Sequence, residues 1–256
     1  MRFVILILVF CCGLNAFAQK GYKLNVAWAE NSKSISKSIS FPKEEVKDSL
    51  AVYQVVNKVL SQLQFKGYLL AEITALRFQE KDVFVAIQPN QLYQWVKLSS
   101  GNLPSAIKQS VGFKERGYEQ VSFDLQRLTT LFETLLRHYE NNGYPFASIN
   151  LDKITMEGNS ISASIHAQPN QKFLFDTIQI VGSAQVAQKY LQSYLNTKSG
   201  TLYSENAASQ IENRLRELPF LEVVKPAEIG FSNEKASVRV FVNKKNANQF
   251  DGIVGL

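Results

Sequence analysis

Apolar residues along this chain change rhythm at regular intervals. Tyr22, Leu24, Val26 and Trp28 take every second position, which predicts a strand with one buried face. A Ser/Lys-rich stretch over 31–40 reads as loop. Pro42 then opens a predicted helix, where its missing N–H costs nothing. Val46, Leu50, Tyr53, Val56, Leu60 and Leu63 fall on one face of that helix at spacings of three and four. Residues 69–78 and 81–88 follow as a strand pair turned at 79–81, with Val83, Val85 and Ile87 alternating in the second strand.

The rhythm returns twice. Residues 93–98 read as a strand, Gly101-Asn102 as a turn and 104–111 as a short helix. After an extended loop at 112–122, a longer helix carries Leu125, Leu128, Phe132, Leu135 and Tyr139 as its stripe, and Asn142-Gly143 ends it. Segments 146–156 and 160–167 form the next strand pair, joined at Glu157-Gly158-Asn159. In the last third, 173–181 is a strand and 185–195 a helix. Ser204 caps a second helix with Ala207, Ile211, Leu215 and Leu218 on its face. Strands 221–231 and 235–242 close the unit through Ser232-Asn233-Glu234.

Two matches support a repeat. Gln88-Pro89-Asn90-Gln91 recurs as Gln168-Pro169-Asn170-Gln171, each time between two strands, and Gly67-Tyr68 recurs as Gly143-Tyr144 after a long helix. The order strand, helix, helix, strand, strand occurs three times, with the first helix of the first unit weak or lost. The fold class is therefore α+β, in tandem β-α-α-β-β modules. Each is a three-stranded sheet that buries one face under its helices. The expected divisions are 19–90, 91–171 and 172–243, and such small units need support from their neighbours.

The amino terminus changes the setting. Arg2 precedes an uncharged, mostly apolar run ending at Leu14, too short to span a bilayer. Ala16-Phe17-Ala18 then places small residues where a signal peptidase cuts, so residues 1–18 read as a secretory signal peptide. Phe10 and Cys11 precede Cys12 where a lipid-attachment site would need a small residue. Cys11 and Cys12 are the only cysteines, so the mature part has no disulfide and no Cys-based metal site. Removing the segment loses Arg2 alone among charged residues and takes the net charge from +6 to +5. That charge is spread along the chain, which speaks against a nucleic-acid patch.

Chemistry-bearing patterns are few. His138 belongs beside the packed stripe of its helix, and His166 on the wet face of its strand. No metal-ligand spacing, nucleophile elbow or phosphate loop occurs. Glu44, Glu45, Glu212 and Glu217 read as ordinary helix surface. The reading is of a non-enzyme, with no catalytic, cofactor or metal residues.

The strand 175–182, Gly200-x-x-Tyr203, Leu218-Pro219-Phe220-Leu221 and the strand 238–242 resemble a POTRA domain, the polypeptide-transport-associated repeat of the BamA/TamA superfamily. The middle unit resembles it with an enlarged loop, and the first diverges most. The resemblance implies a periplasmic module of an outer-membrane protein assembly or translocation factor. Its partners would be unfolded outer-membrane or secreted polypeptides, with periplasmic accessory proteins besides. The polar stretch 244–249 and the strand-like 250–256 resemble a linker and the first strand of a membrane β-barrel. That implies a chain cut short at the barrel's start and held at the outer membrane through it. The neighbouring readings are the POTRA region of a two-partner secretion transporter and a barrel-less envelope scaffold.

The mechanism left to such a module is strand addition, because an uncovered sheet edge offers unpaired N–H and C=O groups to any extended chain. Four or five backbone hydrogen bonds, each worth roughly 0.5–1.5 kcal/mol net, give binding nearer millimolar than nanomolar once ordering is subtracted. By the resemblance the second strand of each unit is the exposed edge. That places client contacts on 69–78, 146–156 and 221–231, with Leu69, Ala71, Phe146, Ser148, Leu221, Val223 and Lys225 as named residues.

Overall fold

The computed structural model describes residues 21–29, 35, 37, 39–41 and 45–245. The readings of 1–18 as a signal peptide, of Pro42 as a helix start and of 246–256 as linker and barrel strand lie outside the described residues. Lys244 ends a strand, and the Lys245 amide donates to the Phe220 carbonyl at 3.0 Å. The chain divides into two compact units, residues 1–92 and 93–256.

The first unit holds β1 (Lys23–Trp28), α1 (Ser49–Phe65), β2 (Glu72–Gln79) and β3 (Asp82–Gln88) in a sheet ordered β1-β3-β2. β1 runs parallel to β3, and β2 antiparallel to it. The helix begins later than its apolar rhythm predicts. Asp48 is its N-cap, accepting from the Ala51 amide at 2.8 Å. Val46 is instead extended and bridges Tyr22 in both directions, at 2.6 and 2.7 Å. The later start also turns the buried face. Val52, Val56, Val59 and Leu63 pack on Val83, Val85 and Ile87, whereas Leu50 and Tyr53 from the predicted stripe stay exposed.

The second unit carries two sheets. The first of them comprises β4 (Gln94–Ser99), α2 (Ser105–Ser110), a 3₁₀ turn at Glu115–Tyr118, β5 (Val121–Ser122), α3 (Leu125–Glu140), β6 (Ser148–Glu157) and β7 (Ser160–Gln168). Its order is β5-β4-β7-β6, so the middle module has four strands where three were expected. The enlarged loop supplies the fourth. Trp95 and Tyr118 in this module are buried edge to face, and Phe123 lies 5.0 Å from Trp95, so burial of these rings folds the loop back along β4.

The last sheet comprises β8 (Leu174–Val181), β9 (Leu221–Ser232) and β10 (Lys235–Lys244) in the order β8-β10-β9. Three short helices cover it: α4 (Gln188–Tyr194), α5 (Glu205–Ser209) and α6 (Ile211–Glu217). The expected single helix after Ser204 breaks at Gln210. Its core joins Ile211, Leu215 and Leu218 to Phe175, Ile178, Val238, Val240 and Val242. Each such side chain contributes about 1.5–3 kcal/mol on burial. The turn between β9 and β10 places Asn233 and Glu234 at positive φ, the geometry whose twist suits a two-residue hairpin.

The repeated tetrapeptide has a defined structural role. Asn90 and Asn170 both have φ 59°, and each donates its side-chain amide to a carbonyl at 2.6 Å, that of Leu70 in one copy and of Phe146 in the other. Gly67 and Gly143, ahead of the same turns, have φ 94° and 95°, where a side chain would be strained.

Candidate functional site

In all three sheets the outer rim of the first strand is closed where it begins. Val46 pairs with Tyr22 ahead of β1. β5 pairs with Gln94 and Trp95, and the Phe123 amide donates to the Tyr93 carbonyl at 2.9 Å. In the last sheet the Phe175 amide donates to the Thr201 carbonyl at 2.8 Å, and the Tyr203 amide to the Phe173 carbonyl at 3.0 Å. Each closing segment is followed by the residue that caps the next helix: Asp48, Asp124 or Ser204. The cap fixes where the helix starts, and the residues before it are left extended against the strand.

The opposite rims differ. No described strand pairs with the outer edge of β2, β6 or β9. All three are bulged. The register slips between Ile73 and Ala75 on β2, between Asp152 and Thr155 on β6, and between Lys225 and Glu228 on β9. Lys153 sits at φ 51° within the second bulge, and Pro226, which has no N–H, within the third. Uninterrupted pairing is left only in short runs such as 148–152 and 228–232.

The named client residues fall into two groups. Ser148 opens β6 and is exposed, and Val223 lies half-buried on β9. Leu221 starts β9 but is buried in the core. Lys225 is exposed yet committed, with its ammonium 3.7 Å from the Phe241 ring centre and 2.7 Å from Glu228. Leu69, Ala71 and Phe146 precede the strands to which they were assigned. Leu69 lies in the turn before β2 and Ala71 is buried. Phe146 packs edge to face on Phe173 and Phe231 at 5.6 and 4.9 Å. The Gly-Tyr turns take several residues to redirect the chain, so both strands start later than their apolar content suggests.

Charge on the β9 rim is local. Hydrogen bonding to Lys225 holds the Glu228 carboxyl below its usual range, aided by Arg239 at 3.3 Å. In the middle sheet the Ser100 hydroxyl, and then the Ser100 amide that donates to Glu115 at 2.7 Å, lower the Glu115 carboxyl likewise. Exposed apolar side chains accompany the β6 rim, with Ile154 and Met156 each more than half exposed. His166 is exposed, and His138 Nδ1 lies 3.2 Å from the Ser110 hydroxyl. Among the described residues no group of His, Cys, Asp or Glu is arranged to hold a metal ion. No described helix is long and apolar enough to cross a membrane.

The last sheet with its three helices, residues 173–245, matches the family model POTRA, described as a surface antigen variable number repeat. The third module is thus the part of the chain that is similar in sequence to a POTRA domain. Beyond it the likeness is one of fold. The POTRA3-5 segment of BamA from Haemophilus influenzae superposes with TM-score 0.53 at 12% identity, over 88% of this chain and 96% of that one. BamA from Haemophilus ducreyi lacking POTRA domains 1-3 aligns with TM-score 0.43 at 16% identity, over 59% of this chain and 30% of that one. CdiB from Escherichia coli aligns with TM-score 0.27 at 15% identity, over 79% and 36%. No curated protein matches the sequence. The chain thus has the fold of a tandem POTRA region of the BamA kind, as the resemblance implied.

Proposed function

We propose that this chain is the periplasmic module of an outer-membrane protein assembly or secretion factor. It takes up extended client polypeptides by strand addition on β2, β6 and β9 and passes them to a membrane β-barrel. It works by binding and not by catalysis. The observation that carries the reading is the asymmetry of the rims: each sheet closes the start of its first-strand edge with its own chain, whereas among the described residues the second-strand edge has no strand partner. Backbone pairing is indifferent to client sequence, which suits unrelated clients. The bulges keep each usable run short, so contacts stay weak and a client can be released.

The test uses single cysteines, since the only native ones are Cys11 and Cys12. A photo-crosslinker is attached at Asn150 on β6 or Glu222 on β9. It is compared with the same group at Gln94 and Leu174, which pair with the closing segments. With a peptide copied from a membrane β-barrel strand, crosslinks are expected from the first pair of positions and not from the second. Equal labelling of both rims, or none, overturns the reading.

A further inference from the structure

We propose that the middle module carries a second recognition surface, a groove for an acidic segment of a partner polypeptide. It does not rest on strand addition. The groove, of about 790 Å³, lies between the inserted loop and α3. Phe113 and Leu131, both buried, give it an apolar floor. Lys114, Arg116 and Arg127 line it, and Asp124 is the one carboxylate among the lining residues. Asp124 is engaged as the cap of α3. None of the three cations has a carboxylate within ion-pair distance among the described residues.

Arg127 is the best placed of them. Its guanidinium carbon stands 4.3 Å from the Tyr118 ring centre, and the absence of a side chain at Gly117 makes room for it. A Cβ at Gly117 would lie 2.8 Å from Arg127 Nη2. Stacking on the ring and an N–H directed at the Tyr118 hydroxyl hold the guanidinium in place, and the rest of its N–H fork is available for a carboxylate. The charge lines a cleft with an apolar floor, and a cleft fits a polypeptide bearing acidic and apolar side chains better than it fits a flat lipid surface. Among the described residues the first and third modules have no counterpart of this insertion. Their closing segments are short bridges, whereas here the insertion adds the 3₁₀ turn and β5. Insertions in one repeat of an array map to a binding face.

The full chain is titrated at low ionic strength into a fluorescently labelled peptide of repeated Glu-Phe-Glu-Ala, followed by anisotropy. The same peptide with Lys for Glu, and phosphatidylglycerol vesicles, serve as rivals. Arg127→Gln is expected to weaken binding about tenfold. Lys114→Gln, at an exposed position, is expected to weaken it about threefold, as is Gly117→Ala, which keeps every charge and displaces the guanidinium. Asn150→Pro, on the β6 rim, leaves this binding unchanged while reducing strand addition, so failure of one site is told from failure of the other. Equal binding by Arg127→Gln and Lys114→Gln, equal binding of the Lys peptide, no binding, or preference for the vesicles overturns the proposal.

Discussion

β8 and β9 lie on either side of β10 in the same sheet, yet one edge is built to be closed and the other to stay open. β8 runs parallel to β10, and the segment ending in Tyr203 lies against its start. Tyr203 is buried and meets Phe175 at 5.2 Å and Phe231 at 5.1 Å, so the closure is locked into the core. β9 runs antiparallel, is bulged at Pro226, and carries Lys225 and Glu228 on its surface, with Arg239 opposite them on β10. An edge that meets solvent needs interruption and charge to avoid indiscriminate pairing, whereas an edge covered by its own loop does not. Accessibility in these sheets is therefore set by the segment before each helix and not by strand composition.

The largest test of that contrast removes the lock. Tyr203→Ala should lower the stability of the third module by about 3–5 kcal/mol in urea titration. Hydrogen exchange at the Phe175 amide should quicken with it, and an unchanged Phe175 would mean that the ring does not hold the closure. Next, Asn170→Ala deletes the bond to Phe146 and should cost about 1–2 kcal/mol, with Asn170→Gly between it and the parent. Asn90→Ala should match it if the two turns are equivalent. Third, Pro226→Val restores a donor on the open rim. Self-association in sedimentation equilibrium should strengthen by about two- to tenfold, the worth of one hydrogen bond, while a matched change on β8 has no effect.

The smallest effect is one of pH. Burial, then Glu205, pushes the Glu140 carboxyl up, whereas the bond to Ser100 brings Glu115 down. A raised folded value means that ionised Glu140 opposes folding at neutral pH, and that this opposition fades as pH falls through its folded value. A depressed one means that Glu115 supports folding above its ordinary value of 4.5 and loses that support as pH falls through its lower folded value. Glu140→Gln should thus raise the melting temperature by about 1–2 °C at pH 7 and do nothing near pH 4, and Glu115→Gln should lower it at pH 7.

Much of this was legible. The order of elements followed from alternation and helical stripes, and the shared Gln-Pro-Asn-Gln pointed to equivalent turns. The sequence misled where two features competed. In α1 the stripe through Leu50 and Tyr53 rivals the one through Val52, Val56 and Val59, and only the cap at Asp48 decides between them. Leu69 and Phe146 look like strand starts because an apolar residue after a turn carries no mark of which side of the turn it serves. The closing segments were missed altogether, although they carry a signal. Val46 two residues before Asp48, Phe123 before Asp124 and Tyr203 before Ser204 each set an apolar residue just ahead of a helix cap.

Asn141, at the end of α3, accepts from the Ser204 hydroxyl and the Asn206 amide at 2.8 Å each. The last sheet thus borrows the finish of its second helix's first turn from the module before it, and Phe231 likewise leans on Phe146. A chain that emerges amino end first offers those borrowed groups before the residues that need them. Assembly of the second unit is then ordered in time by the direction of delivery, with the earlier module serving as a template for the later one.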